Sequence, residues 1–269
     1  MKHLHVILIL SILGLFACKE SDRDQDTSIN SCEDFGAAQS YAYDAFKLVH
    51  QAALSSKGIT AANPAMATTL FGCDTLIVDT SSSPMSITIR FNGSCTYNTD
   101  IRTGEIIATF TGKYDNLGTQ VSISFNKYTF NDYPVSGSMN YKFQGTISTN
   151  PTYAVTIQDF SMENSKNRIM TFSGSQTLSV SSGETTALFN DDTYSISGTA
   201  SGRAFRGNDY SAMIEENLIL KGSCKWVNSG AATVSPENKQ PRFLDFGSSC
   251  DNKGSAQIYS ISYEVVFPE

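Results

Sequence analysis

A two-residue alternation of apolar and small polar side chains runs through most of this chain and restricts it to a β-rich fold. Turn-forming Gly, Asn and Asp residues separate the alternating stretches, so the pattern predicts an antiparallel meander of about a dozen strands. No further helical pattern alternates with the strands, which excludes a parallel βαβ fold. The clearest alternating residues are Ile87, Ile89, Phe91, Ile106, Ala108, Phe110, Val121, Ile123, Phe125, Tyr259, Ile261, Tyr263, Val265 and Phe267.

The polar half of the alternation means that one face of the sheet is buried and the other faces water or a partner. A sandwich, a curled sheet and a partial barrel all satisfy this pattern. Residues 59–269 are predicted to form one such β-rich domain.

One N-terminal α-helix is predicted over residues 31–58, with an apolar stripe at three- and four-residue spacing. Ser31 and Asp34 have the spacing of a capping box, and Gly58 supplies a C-terminal stop. The helix is expected to pack on one face or end of the sheet. His50 lies beside the stripe and is expected to be a partly exposed structural residue.

The first residues have the layout of an export signal. Lys2 and His3 precede a mostly apolar stretch that is too short to span a bilayer, so residues 1–17 are predicted to be a signal peptide. Leu15-Phe16-Ala17-Cys18 resembles the lipobox of bacterial lipoproteins. The resemblance implies that Cys18 becomes the first mature residue and carries fatty acyl chains such as palmitate.

A polar segment, residues 18–30, follows the lipobox and is predicted to be a disordered tether. Lys19 after the lipidated Cys implies outer-membrane sorting, as known for lipoproteins of diderm bacteria. The acidic residues that follow resemble the surface-export signal of lipoproteins in the Bacteroidota, although a tether without sorting content remains the alternative. The expected location is therefore the outer membrane, anchored by lipid and exposed at the cell surface.

Five cysteines remain besides Cys18, and an exported chain is expected to oxidise those that have partners. Cys73 and Cys95 bracket a predicted strand–turn–strand, as do Cys224 and Cys250. The spacing therefore predicts the disulfides Cys73–Cys95 and Cys224–Cys250. Cys32 is left over, either buried and free or competing for one of these partners.

A series of motifs runs through the chain in a characteristic order. They are the lipid Cys with its acidic tether, the Ala-rich helix, Arg102-Thr103-Gly104, Thr111-Gly112, Gly198-Thr199, Cys224 with Trp226, and Leu244-Asp245-Phe246-Gly247 with Cys250-Asp251-Asn252. This order resembles that of a family of uncharacterised β-rich outer-membrane lipoproteins of the Bacteroidota. The resemblance covers nearly the whole mature chain and implies location and fold class, but no activity and no catalytic residues.

Composition and motifs exclude several functions. The formal net charge of −7 and the absence of clustered Lys and Arg argue against nucleic-acid binding. The mature chain keeps one histidine, so a Ser–His–Asp triad and His-based metal sites are not expected. No cofactor-binding fingerprint is present. The sequence therefore predicts no catalytic residue, no metal site and no cofactor.

Aromatic side chains are the candidate binding residues, because exposed Tyr and Trp on a rigid sheet stack on sugar rings or bind proteins. The candidates are Tyr128, Phe130, Tyr133 and Trp226, with cross-strand aromatic pairing as the structural alternative. The sequence thus predicts a non-enzymatic, lipid-anchored cell-envelope protein that binds a glycan or protein partner. The alternatives are a periplasmic lipid carrier or envelope-assembly factor, and a glycan-active enzyme using two carboxylates.

Overall fold

The computed structural model describes residues 26–61, 67–183 and 189–269. The predicted signal peptide, Cys18 and most of the predicted tether lie outside the described residues. No helix in these three ranges is long and apolar enough to cross a membrane.

The described chain forms a single sheet in which each strand pairs antiparallel with the next along the sequence. This confirms the predicted mainly-β meander. β1 and β13 are the two outermost strands, so the sheet is open rather than a closed barrel. The strands are β1 (Asp74–Asp79), β2 (Met85–Tyr97), β3 (Asp100–Phe110), β4 (Gln120–Phe130), β5 (Tyr133–Ile147), β6 (Asn150–Glu163), β7 (Ile169–Ser182), β8 (Thr193–Arg203), β9 (Asp209–Lys221), β10 (Val227–Pro236), β11 (Arg242–Asp245), β12 (Lys253–Ile258) and β13 (Ile261–Val266).

The long helix of the described residues, α1, spans Asn30–Ser55, close to the predicted bounds. The predicted capping box is wrong, because Ser31 lies inside the first turn and no side chain caps the helix. The Asp34 carboxylate instead accepts a hydrogen bond from the Phe205 backbone N–H at 2.6 Å. Asp34 therefore bonds to a residue far along the chain instead of capping the N-terminus of α1. Gly58, the predicted stop, lies just beyond the last residue of α1 and has a left-handed backbone conformation, with φ +85°.

α1 lies inside the curled sheet rather than on one face or end of it, which corrects the sequence-based expectation. Of its 26 residues, 22 are buried, including positions on every side of the helix. Strands from β2 to β13 contact α1, so the sheet wraps around it. Of the three predicted architectures, the structure is the curled sheet. The helix supplies its centre.

β-bulges bend the long strands so that they can wrap around α1. Gly104 in β3 has φ +75°, and a Cβ there would lie 2.2 Å from the backbone oxygen of Lys127 in β4. Gly137 in β5 has φ +98° and approaches the Asp159 oxygen of β6 in the same way. The ladder shifts register at both places. Only glycine satisfies both the backbone angle and the close approach.

Both predicted disulfides are confirmed. Cys73–Cys95 closes the β1–β2 hairpin, and Cys224–Cys250 brackets the β10–β11 hairpin. Cys32 is free and buried, and burial raises the pKa of its thiol to about 12.

Removing the second bridge with Cys224→Ala and Cys250→Ala together is expected to lower the free energy of unfolding by about 3 kcal/mol, because the unfolded chain gains freedom. Chemical denaturation of the oxidised proteins measures this change. Cys32→Ala, which leaves both bridges in place, is the matched control. Equal denaturation midpoints for the double variant and the wild type would contradict the prediction.

Candidate functional site

A polar pocket of about 240 Å³ lies beside α1, between the β2–β3 hairpin and the loop that joins β9 to β10. Its wall includes both cysteines of the Cys224–Cys250 bridge. We call it the hairpin pocket. Its charged and aromatic wall residues include Asp44, Lys47, Asp100, Arg102, Lys225 and Trp226.

Arg102 is the centre of the pocket's ion pairs. It stands in β3, is 3% exposed, and its Nη2 donates to both carboxylate oxygens of Asp44 at 3.0 Å. A second carboxylate, that of Asp100, lies 3.6 Å from the same nitrogen. Asp100 in turn pairs with Lys225 Nζ at 3.3 Å. The network therefore joins α1, β3 and the β9–β10 loop.

Lys47 contributes a further buried cation from α1. Its Nζ donates to the Cys224 carbonyl oxygen at 2.8 Å. The pKa of Lys47 is lowered to about 8, mainly because burial disfavours its charged form; Arg102 also lowers this pKa, whereas Asp44 and Asp100 oppose the shift. A lysine with a shifted pKa in a cleft is a feature of binding and reactive sites.

Aromatic rings support the cations. Lys225 Nζ lies 4.8 Å from the ring centre of Trp226, and the Arg102 guanidinium lies 4.5 Å from that of Phe130. Such cation–π contacts are attractive and strengthen as water is excluded. At the rim, half-buried Phe71 and Tyr97 stack with their ring centres 4.3 Å apart.

The four aromatic residues predicted to bind a ligand do not form an exposed surface. Tyr128, Phe130 and Trp226 are only 2–4% exposed because they pack in the core. Tyr133 is half-buried, and its hydroxyl donates to the Glu269 carbonyl oxygen at 2.7 Å. The exposure on which the predicted role depended is therefore absent for these three and reduced for Tyr133. Trp226 lines the hairpin pocket, and Phe130 underlies its cations.

His50 is fully buried, so the prediction of a partly exposed histidine is wrong. Its Nδ1 lies 2.5 Å from the Tyr114 hydroxyl, and its ring stacks on Phe46. The Asp192 carboxylate is 4.0 Å from Nε2 and accepts a hydrogen bond from the Tyr194 hydroxyl. Desolvation lowers the pKa of His50 to about 4. A neutral His50 therefore belongs to a buried polar cluster in the aromatic core.

The stability of the protein should depend on pH through two buried groups with opposite signs. Burial raises the pKa of Asp34 to about 7 from 3.8, so the native protein holds this proton more tightly and loses stability as pH rises through that range. The pKa of His50 falls to about 4 from 6.5, so its contribution rises with pH between those values. The two contributions oppose each other between pH 4 and 6.5.

Asp34→Asn removes the group whose contribution to stability falls as pH rises. The asparagine side chain keeps an oxygen that can accept the hydrogen bond from the Phe205 N–H. The variant should therefore gain stability with pH from 4.5 to 6.5 more steeply than the wild type, as measured by thermal unfolding. Exposed Glu237→Gln serves as the control. Parallel stability curves for Asp34→Asn and the wild type would show that Asp34 does not hold its proton in the fold.

The hairpin pocket has the chemistry of a binding site. Asp44 and Asp100 share the pocket, but both carboxylates form ion pairs with the buried Arg102 guanidinium. A glycosidase needs two carboxyl groups that flank the scissile bond of its substrate. Within the described ranges, no group of three or more His, Cys, Asp or Glu side chains could hold a metal ion.

No family model, curated protein or solved structure matches this chain.

Proposed function

We propose that this chain is a non-enzymatic, lipid-anchored protein of the cell envelope, held in the outer membrane through Cys18 and exposed at the cell surface. Its β-rich domain binds a glycan or a protein, and the hairpin pocket is the binding site. The observation that carries the binding part is the joint presence of three cations, Lys47, Arg102 and Lys225, in one small cavity. The lipobox and acidic tether support the location.

The structure supplies two further arguments for an exported binding domain. Two disulfides brace the chain, as suits an oxidising compartment, and one of them forms part of the pocket wall. Cations supported by rings and held by carboxylates are pre-organised, which lowers the entropic cost of binding.

The alternative of a lipid carrier requires an apolar space inside the sheet. α1 occupies that interior with closely packed aromatic residues, which weighs against the carrier. Mass spectrometry of an organic extract of the purified domain tests it. A stoichiometric lipid would favour the carrier over our proposal.

The alternative of a glycan-active enzyme requires a carboxylate pair, and Asp44 with Asp100 is the pair that the pocket offers. Their ion pairs with Arg102 favour binding over acid catalysis. Incubating purified protein with polysaccharides and measuring new reducing ends tests this alternative. Product that disappears in Asp100→Asn would overturn the non-enzymatic proposal.

Protease treatment of intact native cells, followed by blotting for this chain and for a periplasmic control, tests the location. We expect the chain to be cut while the control survives. Cys18→Ser should release the protein from the membrane fraction, since the variant lacks the lipidated thiol. Survival of a chain that is cleavable once purified would contradict surface exposure.

A further inference from the structure

We propose that the hairpin pocket binds the carboxylate of an acidic sugar unit, such as a hexuronate within a polysaccharide. This inference rests on the proposed binding function and names its ligand class.

Lys225 is the cation that a ligand can reach. Its side chain is 15% exposed, against 4% for that of Arg102, and its Nζ forms an ion pair with Asp100 at 3.3 Å. An ammonium group carries three donors. Lys225 therefore keeps donors for an incoming carboxylate while the rings of Tyr41, Phe130 and Trp226 hold it in place.

The inner part of the pocket has more positive than negative charge. Lys47, Arg102 and Lys225 face two carboxylates, those of Asp44 and Asp100. The buried Arg102 Nη1 also has no hydrogen-bond partner among the described residues. The third acidic side chain of the wall, that of Glu269, belongs to an exposed residue. A ligand carboxylate beside Lys225 would therefore be the third negative charge opposite these three cations.

The rim of the pocket suits the rest of a sugar ring. Asn98 and Thr99 form the exposed tip of the β2–β3 hairpin, and exposed Ser223 faces them from the β9–β10 loop. Their amide and hydroxyl groups match sugar hydroxyls, and the Phe71–Tyr97 pair supplies an aromatic edge. The volume of about 240 Å³ is below the roughly 300–1,000 Å³ of pockets for drug-sized ligands, so one sugar unit is the fitting occupant.

Isothermal titration calorimetry of the purified domain with oligogalacturonate and oligoglucuronate tests this inference. We expect at least one uronate to bind and the matching neutral oligomers, of galactose and glucose, to bind at least tenfold more weakly. Lys225→Gln should reduce uronate affinity tenfold or more. Lys221→Gln, on an exposed residue outside the pocket wall, should leave it unchanged.

A second variant keeps the test decisive if Lys225→Gln unfolds the protein. Ser223→Glu places a negative charge at an exposed rim position and should weaken uronate binding at least tenfold without lowering the melting temperature. Equal binding of neutral and acidic oligomers would overturn the inference. Failure of every uronate to bind would also overturn it, whether or not inorganic phosphate or an acidic peptide binds instead.

The outcomes also separate this inference from the proposed function. A chain that protease removes from cells but that binds no uronate is a surface protein with a different ligand. A chain that binds uronate but survives protease treatment of intact cells has the predicted ligand and a different location.

Discussion

Asp44→Ala is expected to lower the free energy of unfolding by about 3–5 kcal/mol, because it leaves the Arg102 guanidinium buried without its main partner. Asp44 accepts three hydrogen bonds from Arg102, and both residues are buried. Asp100 lies at 3.6 Å and compensates the charge only in part. Denaturant titration of the variant and the wild type measures the loss.

The exposed ion pair between Arg90 and Glu105 is the matched control for Asp44→Ala. It joins β2 to β3 at 2.7 Å, but the Arg90 side chain is largely in solvent. Arg90→Gln should therefore cost less than about 1 kcal/mol. Combining Asp44→Ala with Arg102→Met should recover part of the loss, since neither buried charge then remains. Similar losses for Asp44→Ala and Arg90→Gln would contradict the buried pairing.

Phe46→Ala is expected to cost about 3–5 kcal/mol, because Phe46 fills the centre of the curled sheet. Its ring contacts Tyr141 of β5 and Tyr194 of β8, with ring centres 4.9 and 5.7 Å apart, and it stacks on His50. Truncation removes packing atoms from several strands at once and leaves a cavity. Thermal and chemical unfolding both report the change.

Ile77→Ala on the outermost strand β1 is the control for Phe46→Ala, since Ile77 is 41% exposed whereas Phe46 is fully buried. We expect a change within about 1 kcal/mol for this substitution. A small effect of Phe46→Ala would mean that α1 is not packed inside the sheet.

The strands and both disulfides could be predicted because their signals are local. Apolar alternation marks each strand, and each cysteine pair brackets one hairpin. The position of α1 could not be predicted in this way. Its apolar stripe resembles that of a helix on a surface, whereas Gln39 and Lys47, outside the stripe, are also buried. Partners far along the chain satisfy them, namely Gln176 and the Cys224 carbonyl oxygen.

The hairpin pocket was missed for the same reason. Asp44 and Arg102 are 58 residues apart in the sequence, and Lys225 is further still. No local sequence pattern therefore indicates that these three residues lie close together in the fold. The available hint was the presence of Asp44 and Lys47 within an otherwise mostly apolar helix. The burial of most of the aromatic candidates was not foreseen, because alternation cannot separate a ring in the core from one in solvent. Tyr128 and Phe130 fall on the inner side of β4 and are buried there.

Strands from both ends of the sheet bury α1, and this arrangement restricts the order in which the chain can complete its folding. Each strand pairs with its neighbour in sequence, so the meander can assemble progressively as the strands become available. α1, however, precedes all the strands of the described residues and contacts the last of them, β13. The apolar surface of α1 is therefore fully covered only when β13 is in place. Before that strand is in place, part of the apolar surface of α1 is exposed to solvent, and a truncation lacking β13 should aggregate or be degraded more readily than the full chain.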